Sequence, residues 1–114
     1  MNPILVKLKS AGCNVDVAIE RFVDDEDLLI ECIGQVLDDD NFNKLHLSVE
    51  RKDAEVAFEA AHTLKGIIAN TELNPMNGYI VKIVEPLRNG EFTGVEENLK
   101  ALERSRQELK SVIK

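Results

Sequence analysis

The sequence predicts an all-α fold: an up-down antiparallel four-helix bundle preceded by one or two short N-terminal helices. Three observations carry that prediction. Apolar residues recur at helical spacing along most of the chain, and no run alternates with period two between turn residues, so strand signals are missing. Capping and stop residues leave only short connections, which makes consecutive helices antiparallel neighbours. Aromatic residues are scarce at 4%, with no Trp, so Leu, Ile, Val and Ala must fill a core of the kind that packed helices enclose.

Residues 2–10 read as a short helix ending at Gly12. Asn14 caps a second short helix through Val15, Ala18, Ile19 and Phe22. Asp24 or Asp25 opens a longer one, with Leu28, Leu29, Cys32, Ile33, Val36 and Leu37 on its apolar face. After Asp38-Asp39-Asp40, the residues Phe42, Leu45 and Val49 resume the pattern in a different phase, which predicts a kink or a short break. Asp53 caps the next helix. Asn74-Pro75 starts another, with proline at the first helical position, where its missing N–H does no harm. Met76, Tyr79, Ile80, Ile83, Val84 and Leu87 form its stripe, and Asn89-Gly90 ends it. Thr93 with Glu96 reads as a capping box for the last helix. That helix buries Val95, Leu99, Leu102, Leu109 and Ile113, with Arg106 as the one charged member of the stripe. Glu96 and Lys100 form a favourable (i, i+4) pair on its surface.

The chain has 114 residues, which predicts one domain over 1–114, long enough to bury a core without staples. A formal net charge of −7 argues against nucleic acid and against an anionic membrane surface. Cys13 and Cys32 lack CxxC spacing, so they read as small buried hydrophobes in a reducing compartment. The start MNPILVKLKSAG is too short and too charged for a signal peptide, and no apolar run reaches spanning length. The expected location is the cytoplasm. No metal site is expected either: "DDDNFN" lacks the glycine and distal glutamate of a calcium loop.

One local oddity stands out, the stretch "AHTLKG" at residues 61–66. At ~100° per residue, Ala57, Ala61, Leu64, Ile68 and Thr71 share one side of the helix, flanked by Ala60 and Ile67. His62 falls well away from that core face. Gly66, Ala69, Glu55 and Glu59 share its side, and Lys65 lies between it and the core boundary. Mid-helix glycine costs about 1 kcal/mol relative to alanine, so its presence asks for a reason. Helical side chains lean toward the N-terminus, so any bulk at position 66 would lean over the imidazole of His62. Glycine leaves the ring open, and Lys65 can bring an ammonium near whatever the ring carries. Histidine titrates near neutrality, so an exposed imidazole is partly neutral and nucleophilic at physiological pH. From the residues alone, an ordinary surface histidine beside a tolerated glycine fits the same pattern. His46, in "KLHLSV" with Glu50 at i+4, has no such gap and reads as a surface or boundary histidine without chemistry.

"AHTLKG" resembles the signature of histidine phosphotransfer (HPt) domains, the histidine-bearing intermediates of two-component phosphorelays. "NVDVAIERFVDDEDLL", "RKDAEVAFEAAHTLKG" and "IVEPLRNGEF" resemble the family's opening segment, its approach to the phosphorylated helix, and a later helix end, so nearly the whole chain is covered. The resemblance implies that His62 is the phosphoacceptor, that Lys65 supports the phosphoryl group and that Gly66 gives clearance. It implies receiver-domain partners, in response regulators and hybrid sensor histidine kinases, that carry the aspartate and hold the Mg²⁺. The chain itself would need no cofactor. It would be a phosphocarrier rather than an enzyme, without an ATP site of its own, since no GxxxxGK[ST] occurs. Around His62, Ala69 and Glu59 would contact the partner, part of the helix from Asp25 onward would flank them, and the chain would act as a monomer. The alternative is a bundle that docks on a receiver or kinase without carrying phosphate. The chain departs from the family where Ile67-Ile68 replace small residues, and where Thr71-Glu72 follow Asn70 in place of a leucine-glycine pair. Ile67 and Ile68 are expected at the core or its margin, away from the exposed rim.

Overall fold

The computed structural model describes residues 1–114 and holds seven helices and no strand. They are α1 (Pro3–Ser10), α2 (Val15–Arg21), α3 (Glu26–Leu37), α4 (Asn41–Glu50), α5 (Ala54–Asn70), α6 (Asn74–Arg88) and α7 (Val95–Ile113). The pairs α4–α5, α5–α6 and α6–α7 pack in sequence, and both α3 and α4 close the bundle against α7. Helix α1 lies on α7 and α3, and α2 joins α1 to α3. The result is an elongated bundle of 43 × 23 × 20 Å. One continuous cluster of 26 buried apolar residues runs through all seven helices.

Local chemistry accounts for where the helices start. The side chains of Asn2, Asn14, Asp25 and Asp53 accept from the N–H groups of Ile4, Val17, Leu28 and Val56 at 2.8, 3.4, 3.0 and 3.2 Å. Each such cap is worth about 1 kcal/mol. The break predicted after Leu37 is real. Asp39 Oδ1 accepts from the Asn41 N–H at 2.8 Å and starts α4 from outside the usual cap position. Across the break, Arg106 Nε donates to the Leu37 carbonyl at 2.6 Å, and its guanidinium carbon lies 4.5 Å from the Phe42 ring centre. The charged residue on the apolar stripe of α7 therefore ties the end of α3 and the start of α4 to α7.

Five helix ends, those of α1, α2, α4, α5 and α6, are followed by a left-handed residue. After α5, the Leu73 N–H donates to the Ile68 carbonyl at 3.1 Å while Glu72 takes φ 55°. This is one of the positions where the chain departs from the HPt pattern, and it calls for the glycine that the pattern supplies. Glu72 holds the conformation and adds partners: its carboxylate accepts from Arg21 Nη1 at 2.9 Å and its carbonyl from the Asn14 N–H at 3.1 Å. After α2, Val23 takes φ 49° and is 83% exposed. A β-branched residue is strained there, and little packing offsets the strain. Val23→Gly is expected to stabilise the protein by about 0.5–1 kcal/mol, strain relief outweighing the added freedom of the unfolded chain. The check is a higher urea midpoint with an unchanged slope.

Four local expectations are corrected. The Thr93–Glu96 capping box does not form: Gly94, at φ 72°, is the N-cap of α7, and no side chain caps it. Glu96 instead meets Lys52 at 3.1 Å, so the ion pair with Lys100 is not made either. Lys52 also lies 4.9 Å from the Phe92 ring centre, which brings its ammonium within reach of α7. Pro75 is the second helical residue, because buried Leu73 is the cap of α6 and Asn74 the first residue. Leu28, expected on the apolar face of α3, is 40% exposed.

Candidate functional site

Helix α5 is fixed at both ends. Asp53 caps its start. At its end Thr71 Oγ1 donates to the Ile67 carbonyl at 2.8 Å, and Arg21 Nη1 donates to the Ala69 and Asn70 carbonyls at 3.2 and 3.1 Å. Its apolar side is buried through Ala57, Ala60, Ala61, Leu64, Ile68 and Thr71. That leaves the opposite side as a rigid, exposed platform, and its wet residues follow the angular expectation. His62, Gly66, Ala69, Glu59 and Glu55 are all exposed, and Lys65 is half-buried. Ile68 is buried and Ile67 half-buried, at the core and its margin as expected.

The imidazole of His62 has two unlike neighbours along the helix. On the N-terminal side the Phe58 ring stacks on it, with ring centres 5.6 Å apart and planes at 28°. On the C-terminal side there is space: a Cβ added at Gly66 would meet no atom within 4 Å. Phe58 is half-buried against the core, and the Arg88 guanidinium carbon of α6 sits 5.2 Å from its ring centre. Lys65 forms none of the ion pairs of the structure, so its ammonium is uncommitted.

Two grooves border this face on the side away from α6. One, about 480 Å³, runs between α4 and α5 and is lined by Lys44, Leu47, Arg51, Val56, Glu59 and Thr63. The other, about 310 Å³, lies between α3 and the end of α5 and is lined by Phe22, Cys32, Gln35, Val36, Asp39, Ile67 and Asn70. From the helix after Asp25, it is Cys32, Gln35 and Val36 that line this groove. Sequence reasoning missed Phe58 and Arg88. An aromatic residue four positions before the histidine was a legible signal for the first; nothing local indicated the second.

The remaining reactive groups lie elsewhere. His46 is half-buried on α4, its Nε2 3.5 Å from Glu103 Oε2 on α7. Cys13 is buried, which pushes its thiol up to about 11 and keeps it protonated. No group of three or more His, Cys, Asp or Glu side chains is arranged to hold a metal ion. No helix is long and apolar enough to cross a membrane.

No protein-family model matches the chain, and no curated protein matches it at a significant level. Among solved structures, the fold is similar to that of histidine-containing phosphotransfer protein B (HptB) from Pseudomonas aeruginosa PAO1. The TM-score is 0.71 at 19% identity, and the match covers 99% of this chain and 89% of that one. At that identity the likeness is one of fold, and it spans the whole bundle, the N-terminal helices included.

Proposed function

We propose that this chain is a histidine-containing phosphocarrier of a two-component phosphorelay. One observation carries the reading: an exposed imidazole at His62 on a rigid helix, with open space where residue 66 would otherwise lean over it. The fold shared with a phosphotransfer protein supports it. In the reaction, a neutral ring nitrogen attacks the phosphorus of an aspartyl phosphate on a receiver domain. An N–P bond forms, the P–O bond to the aspartate breaks, and the aspartate leaves as a carboxylate. The proton on the other ring nitrogen stays with the phosphoimidazole or passes to water. The reverse sequence loads the next receiver. Such a transfer depends mainly on positioning and charge neutralisation, so the carrier need contribute little beyond a well-presented imidazole and a nearby cation. Mg²⁺ belongs to the partner's receiver domain, and the carrier acts as a cytoplasmic monomer.

In this reading Lys65 balances charge on the phosphoryl oxygens. Lys65→Ala is expected to slow transfer about tenfold, the scale of one lost charge-assisted contact, while leaving the melting temperature nearly unchanged. Equal transfer rates in the two proteins would remove Lys65 from the site. The reading itself is tested by incubating wild type and His62→Gln with a panel of phosphorylated receiver domains. Acid-labile label on wild type alone is the expected result. Receivers that bind with no label on His62 would leave the chain as a docking adaptor.

A further inference from the structure

We propose that Phe58 is a positioning residue for the His62 imidazole, locked in turn by Arg88 from the neighbouring helix; this rests on the phosphocarrier reading above. An exposed histidine on a helix ordinarily samples several rotamers. Here one face of the ring is covered by Phe58 at 5.6 Å and 28°. Aromatic stacking of that kind favours the stacked rotamer about threefold to tenfold over the free ring. Phe58 is itself restrained from below and from the side, by the core it packs against and by Arg88 at 5.2 Å. Position is thus passed from α6 through Phe58 to the reacting ring.

The arrangement suits the chemistry. The lone pair of an imidazole nitrogen lies in the ring plane, so a partner stacked on the face blocks no attack. It sets the plane along which the nucleophile meets phosphorus. The covered face lies toward the N-terminus of α5 and the uncrowded side toward Gly66, which leaves one side for the donor to approach. The step served is the one already written: the N–P bond forms as the P–O bond breaks, and the leaving group takes the electron pair. A Phe58 that merely fills the helix margin would support stability and leave the ring's orientation free.

The test compares the full chain with Phe58→Leu, Phe58→Tyr and Arg88→Gln. The His62 ring protons are read by NMR, and phosphorylation of His62 is followed with phosphoramidate, a small donor that needs no docking. In Phe58→Leu the ring-proton shifts are expected to move toward those of a free histidine and phosphorylation to slow about threefold to tenfold. Phe58→Tyr keeps the stack and restores both readouts. Arg88→Gln, at an exposed site, moves the same resonances in the same direction by less, and decides the matter should Phe58→Leu fail to fold. Unchanged shifts in Arg88→Gln and in a folded Phe58→Leu would overturn the proposal. So would an unchanged rate in a folded Phe58→Leu, or a Phe58→Tyr as slow as the leucine variant. If wild type takes no label on His62 from phosphoramidate or from receivers, the phosphocarrier reading falls, and this proposal with it. Label on wild type with equal rates in the variants removes Phe58 alone.

Discussion

Gly66→Leu is expected to raise the melting temperature and to slow phosphoryl transfer from a receiver domain about a hundredfold. The stability gain follows from helix propensity: leucine is better than a mid-helix glycine by about 0.8 kcal/mol, or roughly 3–5 °C for a chain of this size. The backbone there is helical, and a Cβ meets no atom within 4 Å beyond the helix's own backbone, so the first atom of the side chain is accommodated without a clash. The functional loss follows from direction. Residue 66 leans toward His62 from the side that Phe58 leaves open, and displacing the reacting atoms by about 1 Å can cost two orders of magnitude. Gly66→Ala should gain about 1 kcal/mol in stability and keep most of the transfer rate, because a methyl group does not reach the ring. Calorimetry with a rapid-mixing transfer assay reads both effects in one protein. A leucine variant that transfers at the wild-type rate would end the clearance argument; one that melts lower would show the site is not open.

Arg106→Leu is expected to lower stability by about 2–3 kcal/mol, near 10 °C in melting temperature. The side chain is 15% exposed and serves three elements at once. Its Nε satisfies the Leu37 carbonyl at the end of α3, its Nη1 bonds Glu103 at 3.0 and 3.2 Å, and its guanidinium carbon lies over the Phe42 ring at the start of α4. Leucine would fill the volume but strand the Leu37 carbonyl and remove the cation from a half-buried carboxylate that keeps only Gln107 and His46 as partners. Arg106→Lys keeps the charge and loses the planar stack and fork, so an intermediate loss is expected. The acid dependence should change as well. Burial works against the charged form of Glu103, yet the hydrogen bond from Gln107 and the charges of Arg106 and His46 outweigh it and hold the carboxyl below its ordinary value. A lowered native value contributes stability above the ordinary carboxylate range, and that stability is lost as pH falls through the lowered value. With Arg106 gone, the acid-side loss should become shallower. Unfolding by urea across acidic pH would show it, and parallel curves for the two proteins would contradict the assignment.

The helix starts and the exposed side of α5 were legible because their causes are local. Asn14, Asp25 and Asp53 cap the helices they were expected to cap, each through an N–H three residues on. His62 and Gly66 fall on the wet side because the period of the helix puts them there. The capping box failed for a related reason. Thr93 and Glu96 had the right spacing, but the left-handed Gly94 moved the helix start and Lys52, from a distant connection, claimed the glutamate. Arg106 looked anomalous on an apolar stripe, and its partner carbonyl lies 69 residues away.

By itself the sequence determined an all-helical chain, the caps at Asn14, Asp25 and Asp53, and a histidine facing solvent beside a residue without bulk, since these depend on neighbours within one or two turns. Only the tertiary structure decided what surrounds that histidine: Phe58 held under Arg88 of α6, Arg21 of α2 closing the far end of α5, and the grooves shared with α3 and α4. Arg21 and the α3 residues come from far along the chain and Arg88 and the α4 residues from the helices next to α5, but in each case the meeting is fixed by how apolar faces pack, which local periodicity does not specify.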